Sequence, residues 1–285
     1  MLQRLVNISL VLLLSMALTG CGVRFVYNQL DWLIPWYLDD YIELESEQEA
    51  LFESRLASYL DWHRDDQLPK YAAFLHQIAD KAETGLTVQD IAQIELQTED
   101  FAQALMDRML TDLIDLLATA SDKQIDQLFK RLKQDNETYR KEYVDVSPAK
   151  QRKARLKEVI KYAERWTGKL SDDQVRAISA WAEQFELMGP EIEEARLAWQ
   201  QEFKRILMLR GDRAAYDAAF RELIRNPKFG RSAKLQEKLE HNSQQVLQLY
   251  LALDKTLSPS QRKHMVDKLR SYADDFLVLA QQNNN

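Results

Sequence analysis

Between a few chain-breaking residues, this sequence runs for several helical turns at a time with apolar side chains three and four positions apart, a period that belongs to helices. Phe52, Leu56 and Leu60 repeat at a spacing of four; Leu105, Met109, Leu113 and Leu116 nearly do the same; Val175, Ile178, Ala182 and Phe185 trace an amphipathic face. These stripes read as core. No stretch alternates apolar and polar residues long enough for a sheet. Only seven glycines and six prolines occur in 285 residues, so the breaks are legible: Pro69, Gly85, Pro148, Gly168, Gly189-Pro190, Gly211-Asp212, Asn226-Pro227 and Ser258-Pro259. They predict helices near 45–66, 70–84, 88–118, 122–144, 149–167, 172–188, 191–209, 213–225, 232–256 and 259–281. Connections this short favour helices that turn back on their neighbours. The expected fold is all-α, an elongated bundle of antiparallel helices and helical hairpins.

Several helices start on one pattern. Leu170-Ser171-Asp172-Asp173-Gln174 puts a hydroxyl at the N-cap and a glutamine three residues on, so each side chain satisfies an amide that the first turn leaves unpaired. Leu170 at the preceding position can staple onto Val175. Leu257-Ser258-Pro259-Ser260-Gln261 repeats the pattern, Ser121 with Gln124 lacks the leucine, Leu86-Thr87 with Asp90 is a looser relative, and Leu44 with Gln48 keeps only the ends. Ser171→Ala is expected to cost more than Gln174→Ala, because water can replace a glutamine at an exposed N-terminus. Leu-Ser-x-x-Gln resembles the Leu-Thr-x-x-Gln motif of periplasmic stress proteins, small helical cradles that bind unfolded or signalling partners. Leu257 to Gln261, followed by Met265, Leu269 and Tyr272, matches it best.

The N-terminus carries a different signal. Arg4 is followed by an almost wholly apolar run from Leu5 to Ala17, and Leu18-Thr19-Gly20-Cys21 closes it with small residues before a cysteine. The run is shorter than the roughly 20 apolar residues of a permanent membrane span. The ending resembles the lipobox of bacterial lipoproteins. That resemblance implies a leader over 1–20, cleavage before Cys21, and acylation of its thiol and new amino group, giving a membrane anchor of several chains. Gly22 stands where an Asp tends to retain such proteins at the inner membrane, which points to the outer membrane and its periplasmic face. Cys21 is the only cysteine, so no disulfide within the chain is expected. The expected organisation is the leader, an acylated cysteine and aromatic neck over 21–43, and a helical domain over 44–285, with 145–150 as the place where it could divide into two subdomains.

The neck concentrates Phe25, Tyr27, Trp32, Trp36, Tyr37 and Tyr41, interleaved with Asn28, Asp31, Asp39 and Asp40 and broken by Pro35. Two roles stay open: an arm packed over the helical body with Trp32 and Trp36 as anchors one turn apart, or aromatic side chains at the membrane interface. Next come Trp62-His63-Arg64, Leu68-Pro69 and Tyr71. The order Tyr27-Asn28, Leu30-Asp31-Trp32, Leu44 with Gln48, then Trp62-His63-Arg64 and Tyr71 resembles a family of Gram-negative lipoproteins known as a domain of unknown function, which brings no activity with it. Tyr27, Asp31, Trp32, Trp36, Trp62, His63, Arg64 and Tyr71 are its candidate binding or structural residues.

Chemistry-bearing motifs are absent. His63, His76, His241 and His264 form no ligand pair at helical spacing, and there is no phosphate loop, nucleophile elbow or calcium loop. No catalytic residue, metal or cofactor is assigned. His63 and Arg64 have a plain role near a helix C-terminus, against its carbonyls and nearby acids, and the Asp274-Asp275 pair reads as a solvated face. The net charge of −7, with pI about 5.3, gives no reason to expect nucleic acid; the basic cluster Lys150 to Arg155 reads as a solvated helix face. The expectation is a lipid-anchored protein that binds an envelope protein or peptide non-covalently, chaperone-like, with a structural or assembly role, and then a hydrolase, as alternatives.

Overall fold

A computed structural model describes residues 20–282. The expected leader lies outside the described residues except for Gly20, as does the side chain of Cys21. The described chain is helical throughout its regular elements: α1 (Gly20–Tyr27), α2 (Leu30–Asp39), α3 (Ser46–Trp62), a π turn (His63–Gln67), α4 (Leu68–Ala82), α5 (Val88–Ala118), α6 (Asp122–Tyr143), α7 (Pro148–Thr167), α8 (Asp172–Gln184), α9 (Gly189–Met208), α10 (Arg213–Arg225), α11 (Ala233–Thr256) and α12 (Pro259–Gln281). They assemble into an elongated bundle. Its most extensive helix pair is α4 with α12, antiparallel because Arg64 reaches the Leu279 carbonyl while Arg262 reaches that of Ala82.

The sequence placed no helix before residue 45 and read Pro35 as a break, whereas the neck folds as α1 and α2 with Pro35 inside α2; three further boundaries differ from the sequence expectation. Pro69 does not break a helix. The Leu68 amide bonds five residues back to the His63 carbonyl, so the chain widens by one residue just before the proline, and α3 runs on through the π turn into α4. The helix expected over 172–188 stops at Gln184, with Phe185 extended. Buried Asn242 of α11 holds this stretch open, accepting from the Glu186 amide at 2.9 Å and donating to the Glu186 carbonyl at 2.9 Å. Helix α9 then starts at Gly189, ahead of the expected break. A methyl group at Gly189 would lie 1.9 Å from the Tyr143 carbonyl oxygen, so only glycine lets the end of α6 approach so closely.

The largest buried cluster joins Ile42, Leu110, Ile114 and Ile125 to Phe203, Leu207, Tyr216 and Phe220, drawing on both sides of the 144–147 connection. On α5 the buried stripe is Leu110, Ile114 and Leu117, while Met109 and Leu113 of the expected stripe are exposed. Two apolar stripes run side by side there, and periodicity alone does not say which faces inward.

The glutamine caps form, and then do more. Gln48, Gln124, Gln174 and Gln261 each close a capping box, and the four pair off. Gln48 and Gln124 exchange amide hydrogen bonds at 3.4 and 2.6 Å; Gln174 and Gln261 do so at 3.1 and 2.9 Å. In both pairs each glutamine also donates to a carbonyl five residues upstream of its partner: Gln48 to Thr119, Gln124 to Glu43, Gln174 to Thr256, Gln261 to Lys169. The chain thus contains the same reciprocal knot twice.

Candidate binding site

The π turn gathers most of the residues singled out in the sequence. By inserting one residue it turns Arg64 and Gln67 inward, leaving them 7% and 2% exposed. Arg64 donates to the Leu279 carbonyl at 3.1 Å and lies over the Tyr27 ring at 5.1 Å. Its role at a helix C-terminus is therefore real but belongs to α12, not to its own helix, which continues. The Tyr27 hydroxyl meets His63 Nδ1 at 2.9 Å. Tyr71 packs edge-on against His63, Phe101 and Phe276, and half-buried Trp62 lies beneath Arg108. Burial first, then the Arg64 cation, holds the His63 pKa down at about 4. Burial raises that of Tyr27 to about 12, with Asp61 and Asp65 adding to the effect and Arg64 opposing it. The Tyr27 hydroxyl and a neutral ring thus share a hydrogen bond at Nδ1, which makes this group an internal fastening.

The fastening holds the N-terminal arm. Val23 and Tyr27 are buried against Leu68, Ala72, Ala273 and Leu279; Arg24 Nε meets Asp275 Oδ1 at 2.6 Å; Asn28 donates to Gln282 at 3.0 Å. Asp275 is 1% exposed, which corrects its assignment to a solvated face: only Asp274 is exposed, 3.7 Å from His76. Arg24 and Asp275 were missed because they stand 251 positions apart, and nothing local marks them as partners.

Asp31, Trp32 and Trp36 lie apart from this cluster. Asp31 is exposed and accepts from the Trp32 amide at 3.0 Å. Trp32 and Trp36 are 52% and 63% exposed, so neither anchors the arm, which Val23 and Tyr27 already seat. Helix α2 buries none of its residues fully, yet its C-terminal end is fixed: Tyr41 donates to Asp135 at 2.9 Å, and Arg131 pairs with Asp40 at 3.3 Å. Between α2 and the start of α3 opens a cleft of about 400 Å³, floored by Pro35, Leu38, Leu44 and Phe52. Among the described residues, no three His, Cys, Asp or Glu side chains converge as a metal site requires.

A family model matches residues 40–230. The chain belongs to DUF6279, a family of unknown function. The DUF6279 match takes in Trp62, His63, Arg64, Tyr71 and the first glutamine pair. Residues Leu18 to Cys21, Tyr27, Asp31, Trp32 and Trp36 precede it, and Asp275 and Gln261 follow it. Comparison with curated proteins and with solved structures finds no match. No described helix is long and apolar enough to cross a membrane.

Proposed function

We propose that this protein is a lipid-anchored component of the bacterial cell envelope, held through Cys21 at the periplasmic face of the outer membrane, and that it acts by non-covalent binding of an envelope partner through the surface of α2 and the start of α3. One observation carries the reading. An arm fastened at Arg24, Tyr27 and Asn28 presents Phe25, Trp32, Trp36 and Tyr37 at 52–68% exposure. Large aromatic side chains held in solvent by a rigid support contribute little to folding and are the groups that most often carry binding energy. His63, the one histidine of this segment, is engaged by Tyr27 and has too low a pKa to act as a base near neutrality, which favours binding over catalysis.

Two measurements test this. Radiolabelled palmitate should enter the protein, and Cys21→Ser should abolish labelling and release the chain from washed membranes; attachment without label overturns the anchor. Trp32→Ala and Trp36→Ala should leave stability within about 0.5 kcal/mol, as at surface positions, while reducing recovery of a partner crosslinked in cells. Unchanged recovery in both variants overturns the binding surface.

A further inference from the structure

We propose, resting on the binding reading above, that the cleft between α2 and α3 receives a basic peptide segment of the partner, with an apolar side chain on the cleft floor and cationic side chains at its rim. Charge identifies this occupant. Asp39, Glu43, Glu49 and Glu53 stand around the apolar floor, and among the described residues none of these four carboxylates forms an ion pair with lysine or arginine. Their neighbours Asp40 and Asp135, by contrast, share Arg131. Glu49 lies in the first turn of α3, where it complements the helix dipole, but Asp39, Glu43 and Glu53 have no such account. Acids around a purely polar floor would merely be solvated; here they stand beside the partly buried side chains of Leu38, Leu44 and Phe52, whose remaining apolar surface a nonpolar side chain can cover. The same acids oppose an anionic lipid surface, so a peptide fits where a membrane does not.

The test uses the full chain in phosphatidylcholine nanodiscs and a short labelled peptide of alternating leucine and lysine, with binding to empty nanodiscs subtracted. The lysine-leucine peptide should bind, and binding should weaken as salt is raised past about 0.15 M. Glu49→Gln combined with Glu53→Gln should weaken it about tenfold, a change expected from lost charge complementarity. Asp172→Asn combined with Asp173→Asn, removing equal charge from exposed positions on α8, should leave it unchanged. Replacing the peptide's leucines by serine should abolish binding, as should replacing its lysines by glutamate. Failure of the lysine-leucine peptide to bind, or indifference to the cleft substitutions or to either peptide change, overturns the proposal. So does flotation of the Cys21→Ser chain with phosphatidylglycerol vesicles in a manner that depends on Trp32 and Trp36. The two readings fail separately: partner recovery that still depends on Trp36 leaves the binding surface standing when the peptide arm fails, whereas recovery indifferent to Trp32 and Trp36 removes the surface itself.

Discussion

A histidine whose ring is packed against Tyr27, Trp62 and Tyr71 makes the fold sensitive to acid. The folded-state pKa of His63 lies at about 4 against an ordinary 6.5. Below pH 6.5 the unfolded chain therefore binds a proton that the folded chain refuses, and stability falls as pH drops from 6.5 towards 4, by about 3 kcal/mol in all. Denaturant titrations should show that part of the acid slope missing in His63→Phe, which also loses stability at neutral pH because the Tyr27 hydroxyl has lost its hydrogen-bond partner. Gln174 shows where the sequence argument stopped short. Its capping role was legible from spacing alone. Its burial, at 1% exposure, and its bonds to Thr256 and Gln261 were not. Water cannot replace it, so the expected order reverses. Gln174→Ala should cost about 3 kcal/mol, the upper end for buried groups left unpaired, against about 1 for Ser171→Ala. Equal losses in thermal unfolding would refute the coupling.

At the scale of elements, periodicity and breakers located the helices from α3 onward but not α1 and α2, because both signals are local: a side chain three or four residues away decides the face, and a missing amide decides the end. What they missed was set by distant atoms. Asn242 on α11 opens the chain at Glu186, and the π turn carries a proline through what reads as a break. Likewise, the neck's aromatic residues were legible as a distinctive group, but their division into a buried Tyr27 and an exposed Trp32 and Trp36 depends on α12, far along the chain. Gly189 tests such a distant constraint. Gly189→Ala places a methyl group against the Tyr143 carbonyl and must part α6 from α9. It should cost roughly 1–3 kcal/mol, as overpacking does, and loosen the Tyr139 hydroxyl from the Gly189 carbonyl. Amide exchange at the start of α9 and the end of α6 should rise together.

Across the whole molecule, two reciprocal glutamine knots and one terminal clasp fasten segments that lie far apart in the chain. The clasp is the more exposed to mutation. Arg24→Ala leaves Asp275 without its partner at 1% exposure, a change that costs about 3 kcal/mol or more when the charge stays buried. Docking of α1 limits that loss, so the expected result is increased proteolysis at the arm, with Asp275→Asn restoring protection in the double variant. No restoration would show that the arm is held by Val23 and Tyr27 alone. The clasp also sets a timetable. A ribosome delivers the chain N-terminus first, and the arm's docking surface includes Ala273, Phe276 and Leu279 near its end. Until those residues emerge, α1 cannot complete its seat, and its buried aromatic and apolar side chains remain available to whatever meets the nascent chain. Helix α1 thus finishes folding only after α12 has been made, and a chain stopped after α11 would never complete its seat.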